Sequence, residues 1–278
     1  MSVTNMETGA RTDLTAAHGH EHVHADGTRH SHDHDHTHGH DHHHHDDHAH
    51  HHHEPVSVID LNTRILAKND AAAAANRGWF KGREILALNL MSAPGAGKTT
   101  LLERTIAGLK DRHSLFVLEG DQATDADGRR IKAAGAPAVQ INTGQGCHLD
   151  AEMLARGLAE LKPKAGSVLF IENVGNLVCP ALFDLGEAKR VAILSVTEGD
   201  DKPAKYPHMF RAADLMLLNK IDLLPHVRFD VDRAIAHARE VNPKIEVLQL
   251  SAQTGEGLER WFGWIAAAHR DAAAGAFA

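Results

Sequence analysis

The sequence predicts an α/β fold with a doubly wound, mostly parallel sheet, preceded by a histidine-rich N-terminal tail. Three observations predict it. Apolar strand-length runs alternate with helical stretches from about residue 85 to the end. The first of these runs feeds a loop of small residues that opens directly into a helix. Nineteen of the 25 histidines lie between residues 18 and 53, interleaved with Asp and Gly.

The tail comes first in the chain. With almost no apolar side chains, residues 1–54 cannot bury enough surface to offset chain entropy, so they are expected to be disordered without metal. Residues 55–278 suffice for one α/β domain with a sizeable core. The formal charge of −8 is carried by the tail, and the remainder balances to zero. No basic face points to nucleic acid or an anionic membrane. No apolar run reaches membrane-spanning length and no signal-peptide core opens the chain, so a cytoplasmic location is expected. The chain has two cysteines. In a reducing compartment they suit thiol chemistry or metal rather than a disulfide.

Helical spacing and an alanine run predict a first helix over residues 60–76. Strands are predicted near 85–91, 115–119, 138–141, 167–171, 191–196, 215–218 and 245–250. Helices are predicted near 99–110, 125–134, 150–161, 230–241 and 256–269. In such a sheet, ligands sit at the C-terminal strand ends.

Ser92–Thr99 reads SAPGAGKT after the run 85–91. Strand, Gly-rich loop and helix are in register for a phosphate-binding P-loop, and so for a P-loop NTPase. Amides of Pro94-flanked Gly95, Ala96 and Gly97, with those of Thr99 and Thr100, face the phosphates. Lys98 neutralises their outer oxygens, and Thr99 holds Mg²⁺. Ser92 stands where the usual pattern has Gly. The run 215–218 ends in Asn219-Lys220-Ile221-Asp222, which matches the NKxD pattern. The Asp222 carboxylate can only accept, and guanine offers N1–H and N2–H₂ side by side, whereas adenine has no such pair. Asn219 ties this loop to the P-loop and the Lys220 stem covers the base. Ser251-Ala252, after the strand 245–250, resembles the G-protein loop whose backbone meets the guanine oxygen. The nucleotide expected is therefore GTP.

Two constellations suit metal. The tail offers His30, His32, His34, His36, His38 and His40, then His42, His43, His44 and His45, then His50, His51, His52 and His53. Neutral imidazoles in this density suit storage of Ni²⁺ or a similar ion. Cys147-His148 and Cys179 lie on loops that leave two different strands, at the ligand-binding edge. Residue types alone leave two readings for them: small buried side chains, or a mixed S/N site for Ni²⁺ or Zn²⁺. Adjacent residues such as Cys147 and His148 tend to diverge, so one of them could serve a metal across a two-fold axis.

The strings SAPGAGKTTLLE, GCHLDA, IENVGNLVCP, TEGDDKPAKYP and NKIDLLP together resemble the HypB family, the nickel-incorporation GTPases of NiFe hydrogenase maturation. The resemblance spans roughly residues 58–270. The related urease-accessory GTPases carry Cys-Pro-His, whereas Cys179-Pro180 is followed here by Ala181. The resemblance implies a metal site at Cys147, His148 and Cys179, at or near a homodimer interface. It implies switch positions at Asp121 and Glu172, both toward Mg²⁺. It also implies a small HypA-like nickel-binding partner and delivery to the hydrogenase large-subunit precursor. Many members carry an N-terminal Cys-x-x-Cys-Gly-Cys nickel site, but this chain has no cysteine before Cys147. No catalytic glutamine or arginine finger is evident, so slow GTP turnover is expected. A metal-storage protein and a P-loop kinase are the competing classes, and the NKID string speaks against the kinase. Asp200, Asp201 and Lys202 are family-like without a physical role, and His113, His208, His226, His237 and His269 read as structural or surface residues.

Overall fold

A computed structural model describes residues 2–13, 21–23, 29–31, 58–121, 126–144 and 146–275. The elements run β1 (Ser2–Asn5), β2 (Arg11–Asp13), β3 (Glu21–Val23), β4 (Arg29–Ser31), α1 (Val58–Lys81), β5 (Leu86–Ser92), α2 (Lys98–Leu109) and β6 (Leu115–Asp121). They continue with α3 (Ala126–Ala134), β7 (Ala138–Asn142), α4 (Ala151–Leu161), β8 (Val168–Glu172), α5 (Cys179–Leu182), β9 (Lys189–Ser195), α6 (Lys202–Lys205) and α7 (Pro207–Ala212). The last are β10 (Leu215–Asn219), a 3₁₀ turn (Ile221–His226), α8 (Val231–Val241), β11 (Glu246–Gln249) and α9 (Leu258–Ala273).

Nine strands form one sheet in the order β11-β10-β9-β5-β8-β6-β7-β1-β2. The seven from β11 to β7 are parallel. Parallel neighbours need crossovers, and the helices supply them on both faces. Strand alternation assigns the faces. Leu86, Leu88 and Leu90 of β5 pack with α2, α3 and α9. Ala87 points the other way, toward α1 and α4, and Met91 toward α7 and α8. Trp261 anchors α9 against α2, with its indole N–H donated to Thr105 Oγ1 at 2.9 Å, so a fully buried polar atom is satisfied.

The N-terminus departs from the expectation that residues 1–54 lie outside the domain. β1 pairs antiparallel with β7, and β2 pairs with β1, so Ser2–Asp13 form one edge of the sheet. Val3 and Met6 are buried in the two flanking cores. These few apolar residues, set among polar ones, suffice for a half-buried edge strand. β3 and β4 form a separate two-stranded ribbon. His30 lies on β4, and the other tail histidines named above fall outside the described residues, as does most of the segment expected to be disordered.

Candidate functional site

The P-loop follows β5. Gly95 and Gly97 take φ of 75° and 97°, the left-handed region. At Gly97 a Cβ would stand 2.6 Å from Asn219 Nδ2, so the loop requires glycine there on both counts. Lys98 Nζ donates to Ser92 Oγ at 2.9 Å, so the serine in the unusual first position holds the lysine head. Burial pulls the Lys98 ammonium below its ordinary value, and the Glu172 carboxylate opposes this. Thr99 Oγ1 donates to Glu172 Oε1 at 2.8 Å.

Glu172 ends β8, and burial pushes its carboxyl up to about 7 against the pull of Lys98 and Thr99. Its Oε2 is buried and has no hydrogen-bond partner among the described residues. A buried, unpartnered carboxylate oxygen beside a threonine hydroxyl is the hard oxygen pair that Mg²⁺ takes. Asp121, at the end of β6, lines the same cavity. So do Pro94, Gly95, Gly97, Thr100, Asp127, Arg130, Gly175 and Lys220, around a volume of about 530 Å³. Gly175 packs closely on the P-loop, where a Cβ would lie 3.0 Å from Pro94 Cα. Behind the cavity, Glu119 is level with Glu172 in the β6–β8 register. Burial first, then Glu172, raises the Glu119 carboxyl to about 9.

The base end lies on the next strands. Asn219 Nδ2 donates to Ala96 O at 2.9 Å, and Asn219 Oδ1 accepts from Ala252 N–H at 3.1 Å, so one side chain joins the P-loop to the Ser251-Ala252 loop. The Ala252 amide, expected to face the guanine oxygen, is thus turned to Asn219. Lys220 Nζ donates to Gly95 O at 2.7 Å. Ser251 is fully buried. Asp222 Oδ1 is buried and unpartnered among the described residues, an acceptor facing no donor. Asp222, Ser251 and Ala252 do not line the phosphate cavity itself.

The metal-type residues come together. Cys147, His148 and Cys179 present ligand atoms that all lie within 4.8 Å of one another. Cys147 Sγ is 3.6 Å from His148 Nδ1, so these neighbours converge on one point rather than diverging as the sequence suggested. The intervening Gly146–Leu149 segment is irregular loop, which frees adjacent side chains from strand alternation. His148 stacks on Phe183, with ring centroids 3.8 Å apart. Burial lowers its pKa, which favours the neutral, metal-binding imidazole. The Cys147 hydrogen bond, then burial, raises the Cys179 thiol. Asn176 Oδ1 accepts from the backbone N–H groups of Val178 and Cys179 and so shapes the loop that carries Cys179.

Sequence reasoning missed Glu119, Asp127, Arg130 and Phe183. Each takes its place by packing between elements, and none belongs to a local string. The available signal was position: Glu119 two residues before Asp121, and Asp127 and Arg130 one helical turn apart in the next helix.

Comparison with known proteins agrees with this geometry. Residues 86–249 match the model of the CobW/HypB/UreG nucleotide-binding domain. The chain is 64% identical over 201 residues to the hydrogenase maturation factor HypB of Azotobacter vinelandii, a match spanning 72% of this chain and 66% of that protein. The crystal structure of HypB from Archaeoglobus fulgidus superposes with a TM-score of 0.69 at 40% identity, covering 73% of this chain and all of that one. HypB from Helicobacter pylori, crystallised in complex with nickel, gives 0.69 at 37% identity, covering 73% of this chain and 96% of that one. The phosphate loop, the Asn219 bridge and the Cys/His cluster thus stand on a P-loop NTPase fold, and the chain belongs to the HypB family of hydrogenase maturation factors.

Proposed function

We propose that this chain hydrolyses GTP and uses the nucleotide state to hold and release nickel destined for the NiFe hydrogenase large subunit. One observation carries the reading: a single segment runs from Glu172, hydrogen-bonded to Thr99, to Cys179 in the Cys/His cluster. Movement of Glu172 with the γ-phosphate is transmitted along seven residues of backbone to a metal ligand.

In this reading Lys98 and the P-loop amides of residues 95–100 bind the phosphates. Thr99, Asp121 and Glu172 hold Mg²⁺, which neutralises charge on the phosphates when bound. Asp222 selects guanine, Asn219 and Lys220 fix the base loop, and Ser251-Ala252 closes it. Cys147, His148 and Cys179 take Ni²⁺, with Zn²⁺ as a second candidate, and leave a fourth position for water or a partner ligand. The nickel complex of the Helicobacter pylori relative supports that choice. The tail histidines buffer nickel outside a nucleotide-binding domain made of residues 55–278 together with the edge strands β1 and β2. A homodimer, a small HypA-like nickel-binding protein and the hydrogenase precursor are the partners, in the cytoplasm, and intrinsic turnover is slow.

The buried, unpartnered Oδ1 of Asp222 supports guanine specificity. The test is phosphate release from GTP and from ATP by the wild-type protein and by Asp222→Asn. The wild type hydrolyses GTP in preference to ATP. The variant, which sets a donor against guanine N–H groups, loses about 2 kcal/mol of GTP affinity. Equal use of both nucleotides by the wild type contradicts the proposal.

A further inference from the structure

We propose that Arg130 supplies a guanidinium in cis to the nucleotide phosphates, an inference that rests on the GTPase reading. Arg130 is on α3 and lines the same cavity as Lys98, Thr99, Thr100 and Glu172. Its Nη2 donates to Thr100 Oγ1 at 3.2 Å, in the first turn of α2, whose N-terminal amides face the phosphate site. Its other donors rest on two carboxylates. Nε and Nη2 reach Glu103 at 3.1 and 2.7 Å, and Nη1 reaches Asp127 at 3.0 Å. The side chain is 43% exposed, so this is a solvated latch and not a buried structural pair.

The charges around the cavity explain why such a latch can open. Lys98 is held on Ser92, and Lys220 is engaged by Gly95 O toward the base end. Asp121, Asp127 and Glu172 line the wall on the magnesium side. A triphosphate placed there offers planar pairs of anionic oxygens, which fit the guanidinium fork better than two separate surface carboxylates. Arg130 leaves Glu103 and closes on the phosphate chain beside Thr100. Water then attacks the γ-phosphorus and the bond to the β–γ bridging oxygen breaks. Its electron pair stays on the GDP oxygen, and both protons of the water leave on inorganic phosphate as H₂PO₄⁻. Arg130 stabilises the charge that builds on the departing diphosphate. Slow basal turnover follows from the latch, because the arginine is engaged elsewhere until phosphate displaces the carboxylates.

Full-length wild type, Arg130→Ala, Arg130→Lys and Glu103→Gln are compared by single-turnover GTP hydrolysis with magnesium, and by affinity for fluorescent GDP and a non-hydrolysable GTP analogue. Arg130→Ala lowers the hydrolysis rate at saturating GTP by about a hundredfold to a thousandfold, and Arg130→Lys recovers part of it. Glu103→Gln weakens the latch and hydrolyses at least as fast as wild type. A purely structural tether between α2 and α3 predicts equal losses in Arg130→Ala and Glu103→Gln, and that result overturns the inference, as does an unchanged rate in Arg130→Ala. If the wild type binds GTP without hydrolysing it, the GTPase reading fails separately. The affinity arm then decides: Arg130→Ala weakens the GTP analogue by about tenfold if the guanidinium touches phosphate, and unchanged affinity overturns it.

Discussion

Two carboxyls side by side on neighbouring strands, Glu119 and Glu172, show how much of the site depends on single residues. Burial keeps Glu119 protonated far above the usual carboxylate range, from 4.5 to about 9. Between those values the folded chain keeps a proton that the unfolded chain gives up. The stability this confers is therefore fully present below about 4.5 and is lost as pH rises toward about 9. Glu119→Gln removes the titration. Compared by urea unfolding at about pH 5 and about pH 8.5, the variant gains stability relative to wild type at the higher pH. A difference that does not change with pH contradicts the assignment of a buried, protonated Glu119. The residues of the candidate site were legible where a string encodes them: the P-loop, NKID and the two cysteines. Glu119 and Arg130 were not, because an isolated Glu or Arg in a strand or helix has no local signature. Their roles come from which strand or helix lies alongside.

At the scale of elements, the long regular segments were legible because apolar periodicity marks them. All seven predicted strands and the five later helices fall within a few residues of their predicted places, while α1 extends further at its C-terminal end, to Lys81. Three short helices escaped, α5, α6 and α7, each too brief to show a 3.6-residue period. β1 and β2 escaped because a polar edge strand reads like loop. The attachment of α1 was also invisible to periodicity, since it uses amides. Asn76 Nδ2 donates to Ala151 O at 2.9 Å and Leu185 O at 3.1 Å, and Asn69 Oδ1 accepts from Ala151 N–H at 3.0 Å. These bonds fix the start of α4 and the 183–185 segment, which carry His148 and its stacking partner Phe183 into place. Asn76→Ala leaves two buried carbonyls short of a donor and costs about 1–3 kcal/mol in denaturant unfolding. A cost near zero would mean that α1 is held by its apolar side chains alone.

Across the whole molecule, a histidine-rich segment, a Cys/His cluster and a phosphate-loop cavity share one chain. Residues 1–54 carry a formal charge of −8, and residues 55–278 balance to zero. In the proposed mechanism, γ-phosphate state and metal affinity are coupled through the Glu172–Cys179 segment. Linkage requires the coupling to be reciprocal, so metal must change nucleotide affinity by the same factor. The most direct measurement titrates nickel into protein lacking residues 18–53, once with GDP and once with a non-hydrolysable GTP analogue, in wild type and in Cys179→Ala. Nickel affinities differ by about fivefold or more between the two nucleotides if the segment couples the sites, and in Cys179→Ala the difference is lost and the affinity lowered. Coincident wild-type curves would contradict it.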